Sequence, residues 1–413
     1  MNLDQEERMM ADGKFGPVVQ DAIEILIKLG EIYEAEKMVK VTSIHMPGSS
    51  VVVAGEGGTR FVKQQADRGG RFVIQTSLNP AAMDFRRWQE MKVPLAIVSM
   101  QRQLTEAYSQ MGAVAHHTCV PYLVGNVPRL GEHVAWGESS ALIFANSVLG
   151  ARTNREGGPS ALASALTGRT PLYGLHLGEN RVGKVLVRLQ VKLTTAFDYG
   201  VLGYFVGKIC GDKVPVFRAI PREAGIDELK MLGAALATSG AVALFHAIGI
   251  TPEALTDEQA FGGKEPEDSL TFGEKEYDQT VGFLTTAKND YLNLVVVGCP
   301  HSSIEQIRSI AQLLADKKIN PEVDFWVCTP LVTKVIADRM GYTQIIEQSG
   351  AKLICDTCPV LAPMDEIIKA KGYTSLATNS AKLAHYAAGK FSLPVYFGSL
   401  SRCLRAAVTG KWN

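Results

Sequence analysis

Two sets of residues in this chain carry enough chemistry to make a site. The first is a dense run of hydrogen-bonding groups. GARTNREGG, Gly150–Gly158, directly follows the apolar run that ends at Leu149. A loop that only turns the chain needs Gly, Asn or Asp, not two arginines. Arg152 and Arg155 offer bidentate donors to carboxylate or phosphate oxygens. Thr153 and Asn154 are placed to orient such a ligand. Just upstream, Glu138, Ser139 and Ser140 in WGESS can position a hydroxyl or carry a proton. TSIHMPGSS, Thr42–Ser50, is a Gly- and Ser-rich turn of the kind whose backbone N–H groups cradle an anion. Its side-chain candidates for substrate are His45 and Ser49.

The second set is sulfur. The seven cysteines are Cys119, Cys210, Cys299, Cys328, Cys355, Cys358 and Cys403. A metal site needs deprotonated S or N ligands that converge in space, not in sequence. Cys355-x-x-Cys358 is the only C-x-x-C, and alone it reads equally as half a zinc site, a redox pair or nothing. Cys119, Cys299 and Cys358 together offer three thiolates to iron. Three protein ligands leave one coordination position open, as a Lewis-acid site requires. Cys210 and Cys403 lie in apolar segments and read as core, while Cys328 fits either role. There is no GxxxxGK[ST], no GxGxxG after a strand, no GxSxG and no HExxH, which argues against nucleotide binding, a serine nucleophile elbow and a zincin site.

These residues need elements to hold them. The last 125 or so residues alternate short apolar runs with helical patterns, the signature of a doubly wound α/β domain. The spacing predicts strands at Leu292–Gly298, Asp324–Cys328, Ala351–Cys355, Ser375–Thr378 and Pro394–Gly398. Ser302 with Glu305 predicts a capping box opening a helix to Lys317. Further helices are expected from Pro330 to Met340, over Lys382–Ala388 and over Ser401–Thr409. In such sheets ligands bind beyond the carboxyl ends of the strands. The residues there are Cys299-Pro300-His301, Cys328-Thr329, Cys355 to Cys358, Thr378-Asn379-Ser380 and Ser399 to Ser401. Toward the front, helices are expected at Gly16–Leu29 and Pro80–Met91, and strands at Val51–Ala54, Phe72–Gln75 and Pro94–Met100. The acidic stretch Asp257–Glu276 reads as an exposed connection, placing a boundary near residue 285. The chain is thus expected to be a multi-domain α/β protein, with an N-terminal region over 1–285 and the doubly wound domain over 286–413.

Composition excludes some partners. Forty-two basic residues balance 42 acidic ones, so no electrostatic footprint for nucleic acid or an anionic membrane is present. MLGAALATSGAVALFHAIGI, Met231–Ile250, has the length of a membrane span, but its Ala, Gly, Ser and His content suits a buried, closely packed helix. MNLDQEERMMADG is neither a secretory signal nor a transit peptide, so a cytoplasmic location is expected.

The block Thr118–Arg181, with VVVGCPH and CDTCPV, resembles the large subunit of aconitase X, a family within the aconitase superfamily. The resemblance covers roughly residues 5–410. It implies an aconitase-like fold and a hydro-lyase in which iron aids departure of a substrate hydroxyl as water. The matching ligand positions are Cys119 in HTCVPY, Cys299 in VGCPH and Cys358 in DTCP. The implied cofactor is an iron–sulfur cluster, 4Fe-4S first, with 2Fe-2S or mononuclear iron as alternatives. The family's activities are dehydration of (R)-5-phosphomevalonate and of cis-3-hydroxy-L-proline. The first is the leading reading here, and a non-catalytic metal-binding scaffold is the alternative of another class. A small anionic substrate follows. So does a separate small subunit carrying the swivelling domain, since no such domain is read in this chain. A phosphate calls for one more cation, for which Arg60, Lys63 and Arg181 are candidates.

Overall fold

The protein is described by a computed structural model covering residues 1–412. Three parallel sheets follow one another along the chain. The first holds four strands in the order Val114–His117, Gln75–Leu78, Ser43–Met46 and Ala135–Trp136. The second runs Asp268–Phe272, Val185–Leu189, Pro215–Arg218 and His246–Ala247. The third has five strands in the order Lys352–Cys355, Asp324–Thr329, Leu294–Val297, Leu376–Thr378 and Val395–Phe397. A two-stranded antiparallel ribbon pairs Met38–Lys40 with Arg169–Pro171. Parallel strands buried on both faces need no polar alternation, and Leu294–Val297 is buried at every position.

One contiguous apolar core links the three units, running from Trp136 and Phe144 through Leu202, Leu236 and Phe245 to Phe397. The helix Ser139–Ser147 lies within it, buried from Ser140 to its end. The helices Ala196–Cys210 and Ile226–Ser239 pack closely enough that a Cβ on Gly207 would sit 2.6 Å from the Leu236 carbonyl oxygen. Small residues there serve packing, as expected for Met231–Ile250, although the helix ends at Ser239. No described helix is long and apolar enough to cross a membrane.

The α/β expectation holds, and the elements of the third sheet fall within a residue or two of their predicted places. The first unit needs correction. Val51–Ala54 and Pro94–Met100, expected as strands, lie in the helices Val51–Asp67 and Leu95–Met111. Over Leu95–Met111 the buried residues Val98, Gln101, Leu104, Tyr108 and Met111 recur at helical spacing. Pro80–Met91, expected as a helix, is a series of turns. There the Asp84 carboxylate accepts from the Arg86, Arg87 and Cys355 backbone N–H groups. The strand expected at Phe72–Gln75 starts at Gln75. Asp257–Glu276 is not a plain connection, because Asp268–Phe272 is the edge strand of the second sheet.

Candidate active site

Three chain segments bring Cys119, Cys299 and Cys358 to one cleft of about 230 Å³. Cys119 follows the strand Val114–His117, at its carboxyl end. Cys299 follows Leu294–Val297 across Gly298. At Gly298 φ is +88°, and a Cβ would run into the Cys328 carbonyl, so only glycine delivers the thiol there. Cys358 follows a loop pinned by Thr357, whose hydroxyl donates to the Ala81 carbonyl at 2.7 Å. All three thiols are buried. The neighbouring Cys299 thiol, together with burial, pushes the Cys358 thiol well above its ordinary range. Burial, then the Glu138 carboxylate, pushes Cys119 up to about 12.

Glu138, Ser139 and Lys382 line the same cleft. Glu138 caps the helix Ser139–Ser147, accepting from the Ala141 N–H at 2.6 Å and the Ser140 hydroxyl at 2.7 Å. Its other oxygen accepts from Lys382 Nζ at 2.6 Å. Lys382 also reaches Ser140 Oγ at 3.3 Å. Burial works against charge on Glu138, but Lys382 and the Ser140 and Ala141 donors outweigh it and hold the carboxyl below its ordinary range. Burial likewise works against charge on Lys382, yet Glu138 and the Cys299 and Cys119 thiols keep it firmly cationic. A buried ion pair thus faces a trio of buried thiols.

Lys382 carried no role in the sequence reading. Its signal was position: a lysine in the first turn of the helix Ala381–Lys390, where the helix dipole favours acids. Asn79 and Ser50 also line the cleft. Of the strand-end residues of the third sheet, Cys299 and Cys358 reach it. Cys328 is fully buried within its strand, while Cys355 is buried and its amide is held by Asp84. Asn379, Ser399 and Ser401 line a different hollow, with Asp227 and Glu305.

Other sequence candidates lie elsewhere. Arg152, Thr153, Asn154 and Arg155 are not among the cleft's lining residues. Arg152 donates to the His176 carbonyl at 3.2 Å. Thr153 Oγ1 accepts from the Trp136 N–H and donates to the Asn154 carbonyl. Asn154 bridges the Tyr173 carbonyl and the Leu175 N–H. Arg155 is exposed, with one 3.4 Å contact to the Val242 carbonyl. Ser49 donates to the Asn79 carbonyl at 2.5 Å. His45 is fully buried under the turn that leads to Glu138, its carbonyl accepting from the Gly137 N–H. Burial lowers the His45 imidazole to about 4, so it is neutral. Ser140 donates to Glu138 and does not line the cleft. Arg181 is locked to Glu253 at 2.9 Å, and Lys63 pairs with Asp67. Lys382, and none of the three expected cations, supplies the positive charge at the cleft.

Models of the aconitase X first, second and third domains match residues 1–179, 183–282 and 292–409. The chain belongs to the aconitase X family. It is 44% identical over 403 residues to the phosphomevalonate dehydratase large subunit of Methanothermobacter thermautotrophicus, covering 98% of each chain. It is 36% identical to the cis-3-hydroxy-L-proline dehydratase of Pseudomonas aeruginosa, where 99% of this chain matches 70% of that one. The crystal structure of Thermococcus kodakaraensis aconitase X in its holo-form superposes with a TM-score of 0.89 at 36% identity, covering 98% of this chain and all of that one.

Proposed function

We propose that this chain is the large subunit of a hydro-lyase that dehydrates (R)-5-phosphomevalonate. The observation that carries the reading is coverage. The chain matches archaeal phosphomevalonate dehydratase large subunits end to end, at up to 44% identity, but only 70% of the hydroxyproline enzymes. The "large subunit" in those names supports a separate small partner.

The donor set fits an iron–sulfur cluster. It is all sulfur, drawn from three segments around one cleft. Cys119, Cys299 and Cys358 would hold it, and when bound it supplies Lewis-acid pull on the departing hydroxyl. Lys382 is a fixed cation for a carboxylate or phosphate oxygen, pre-oriented by Glu138. Glu138, held by four donors including Ser139 at 3.5 Å, positions Lys382 and is a poor base. Ser139, whose hydroxyl is only loosely tied to Glu138, is the WGESS hydroxyl available to substrate.

The test is turnover by the anaerobically reconstituted chain with its small subunit, offered each substrate in turn. Water loss from 5-phosphomevalonate alone is the expected result. Turnover of cis-3-hydroxy-L-proline alone would overturn the substrate assignment. Bound iron without turnover of either would favour the scaffold reading.

A further inference from the structure

Each of the three cleft cysteines sits beside a residue tied to the same side chain or backbone: His301. It is fully buried, on the loop that carries Cys299. Its backbone N–H donates to Cys119 Sγ at 3.2 Å. Its Nδ1 lies 3.2 Å from Thr118 Oγ1, next to Cys119. Its Nε2 lies 3.0 Å from the Thr357 carbonyl, next to Cys358. A carbonyl only accepts, so Nε2 carries the proton and Nδ1 accepts the Thr118 hydroxyl proton. Thr118 Oγ1 in turn accepts from the Val120 N–H at 3.1 Å. The His301 carbonyl accepts from Lys230 Nζ at 3.2 Å. Lys230, itself fully buried, is held at 2.7 Å by both Asp227 and Gln306. Every polar group of His301 therefore has a partner: two on the Cys119 loop, one on the Cys358 loop and one on Lys230.

We infer that His301 is a positioning residue that holds the Cys119, Cys299 and Cys358 loops in mutual register before any metal is present. The inference rests on the reading that these thiols bind iron, but the geometry it explains is that of the metal-free chain. Three loops from distant parts of the sequence have no covalent tie, so their thiols converge only if something fixes their separation. Backbone pairing does part of this: the Ala81 N–H donates to the Asp356 carbonyl, and the Ser302 N–H to the Cys328 carbonyl. The first ties the Cys358 loop to the turn after Gln75–Leu78, and the second ties the Cys299 loop to the strand Asp324–Thr329; neither reaches the Cys119 loop. The imidazole spans from the Cys119 loop to the Cys358 loop. A side chain with a donor and an acceptor on opposite ends is required, and the role asks nothing of its basicity. Glutamine can imitate that; leucine cannot.

The experiment compares the wild-type chain with His301→Leu, His301→Gln and Thr118→Val. In the metal-free chain, iodoacetamide labelling of each cysteine is followed by peptide mass mapping, with Cys403, buried in the third unit, as internal control. Iron and acid-labile sulfide are then measured after anaerobic reconstitution, with the visible absorption of the product. Labelling of Cys119 and Cys358 should rise about tenfold in His301→Leu, the scale of one lost buried hydrogen bond read as a local opening. Cys403 should not change, and iron content should fall in step. His301→Gln should restore both readouts in large part, and Thr118→Val should shift Cys119 more than Cys358. Unchanged labelling with full iron in His301→Leu would overturn the inference. If Cys403 opens equally, the chain has loosened as a whole and Thr118→Val decides: unchanged Cys119 labelling there overturns it. Absence of iron in the wild type would remove the reading of the site, while the labelling pattern would still judge His301.

Discussion

Two loops of this molecule look alike in sequence richness and differ in what they do. GARTNREGG packs two arginines, an asparagine, a threonine and a glutamate into nine residues, yet these groups bond to the surrounding fold. The cleft draws a few residues from each of several distant segments, and none of those segments is as dense in hydrogen-bonding groups as the loop. The difference teaches that local density of hydrogen-bonding groups measures how much a loop must satisfy, not what it binds. Asn154 and Thr153 spend their polar atoms on backbone groups of the surrounding fold. In the cleft, by contrast, burial is offset by one ion pair, and the thiols have few partners.

The largest effect should come from the sulfur side of that comparison. Loss of an outer partner of a metal ligand commonly costs ten- to a hundredfold, so Cys119→Ser should lower turnover of the reconstituted enzyme by more than about a hundredfold. The same change at Cys355, whose amide rather than its thiol is held by Asp84, should leave turnover within about threefold. Equal losses at the two positions would break the assignment of ligands.

Next comes the ion pair. Lys382→Met leaves the buried Glu138 carboxylate without its cation, and breaking such a pair costs about 3–5 kcal/mol. Urea unfolding of the metal-free chain measures it. Glu138→Gln added to Lys382→Met should recover a good part of that loss, because no unpaired charge remains, while activity stays low. If Lys382→Met were as stable as wild type, the pair would not be buried as described.

What could be read in advance follows the same line. The third sheet was legible because each strand is a short apolar run closed by Gly, Pro or a polar cluster. Even there the capping box is Ser303 with Gln306, one residue later than Ser302 with Glu305. Ser302 is engaged through its backbone by Cys328 and Thr329. In the first unit, Val51–Ala54 and Pro94–Met100 carry β-branched residues in windows too short to separate a strand from a buried helix turn. The cysteines could be named because thiols at strand ends have few roles. Lys382 could not, since its partner Glu138 lies 244 positions away. His301 could be placed beside Cys299 at a strand end, but not its ties to Thr118 and Thr357, which only the fold brings together. The one local mark on Lys382 is its place in the first turn of its helix, and that does not name a counter-ion that arrives from another unit.

The loop side of the comparison yields smaller effects, and they sharpen it. Asn154→Ala removes two bonds to partly buried backbone and should cost about 1–3 kcal/mol, seen in urea unfolding, with KM within about twofold of wild type. Arg155→Ala should do least. Its guanidinium is exposed and makes one long contact, so stability should stay within about 0.5 kcal/mol. Turnover separates the two ideas of this loop. If Arg155 clamps a substrate oxygen once the small subunit closes on the large one, KM should rise at least about tenfold while stability is untouched. If the loop is scaffold alone, Arg155→Ala should be silent in both measurements, and Lys382 is left as the cation that meets the substrate.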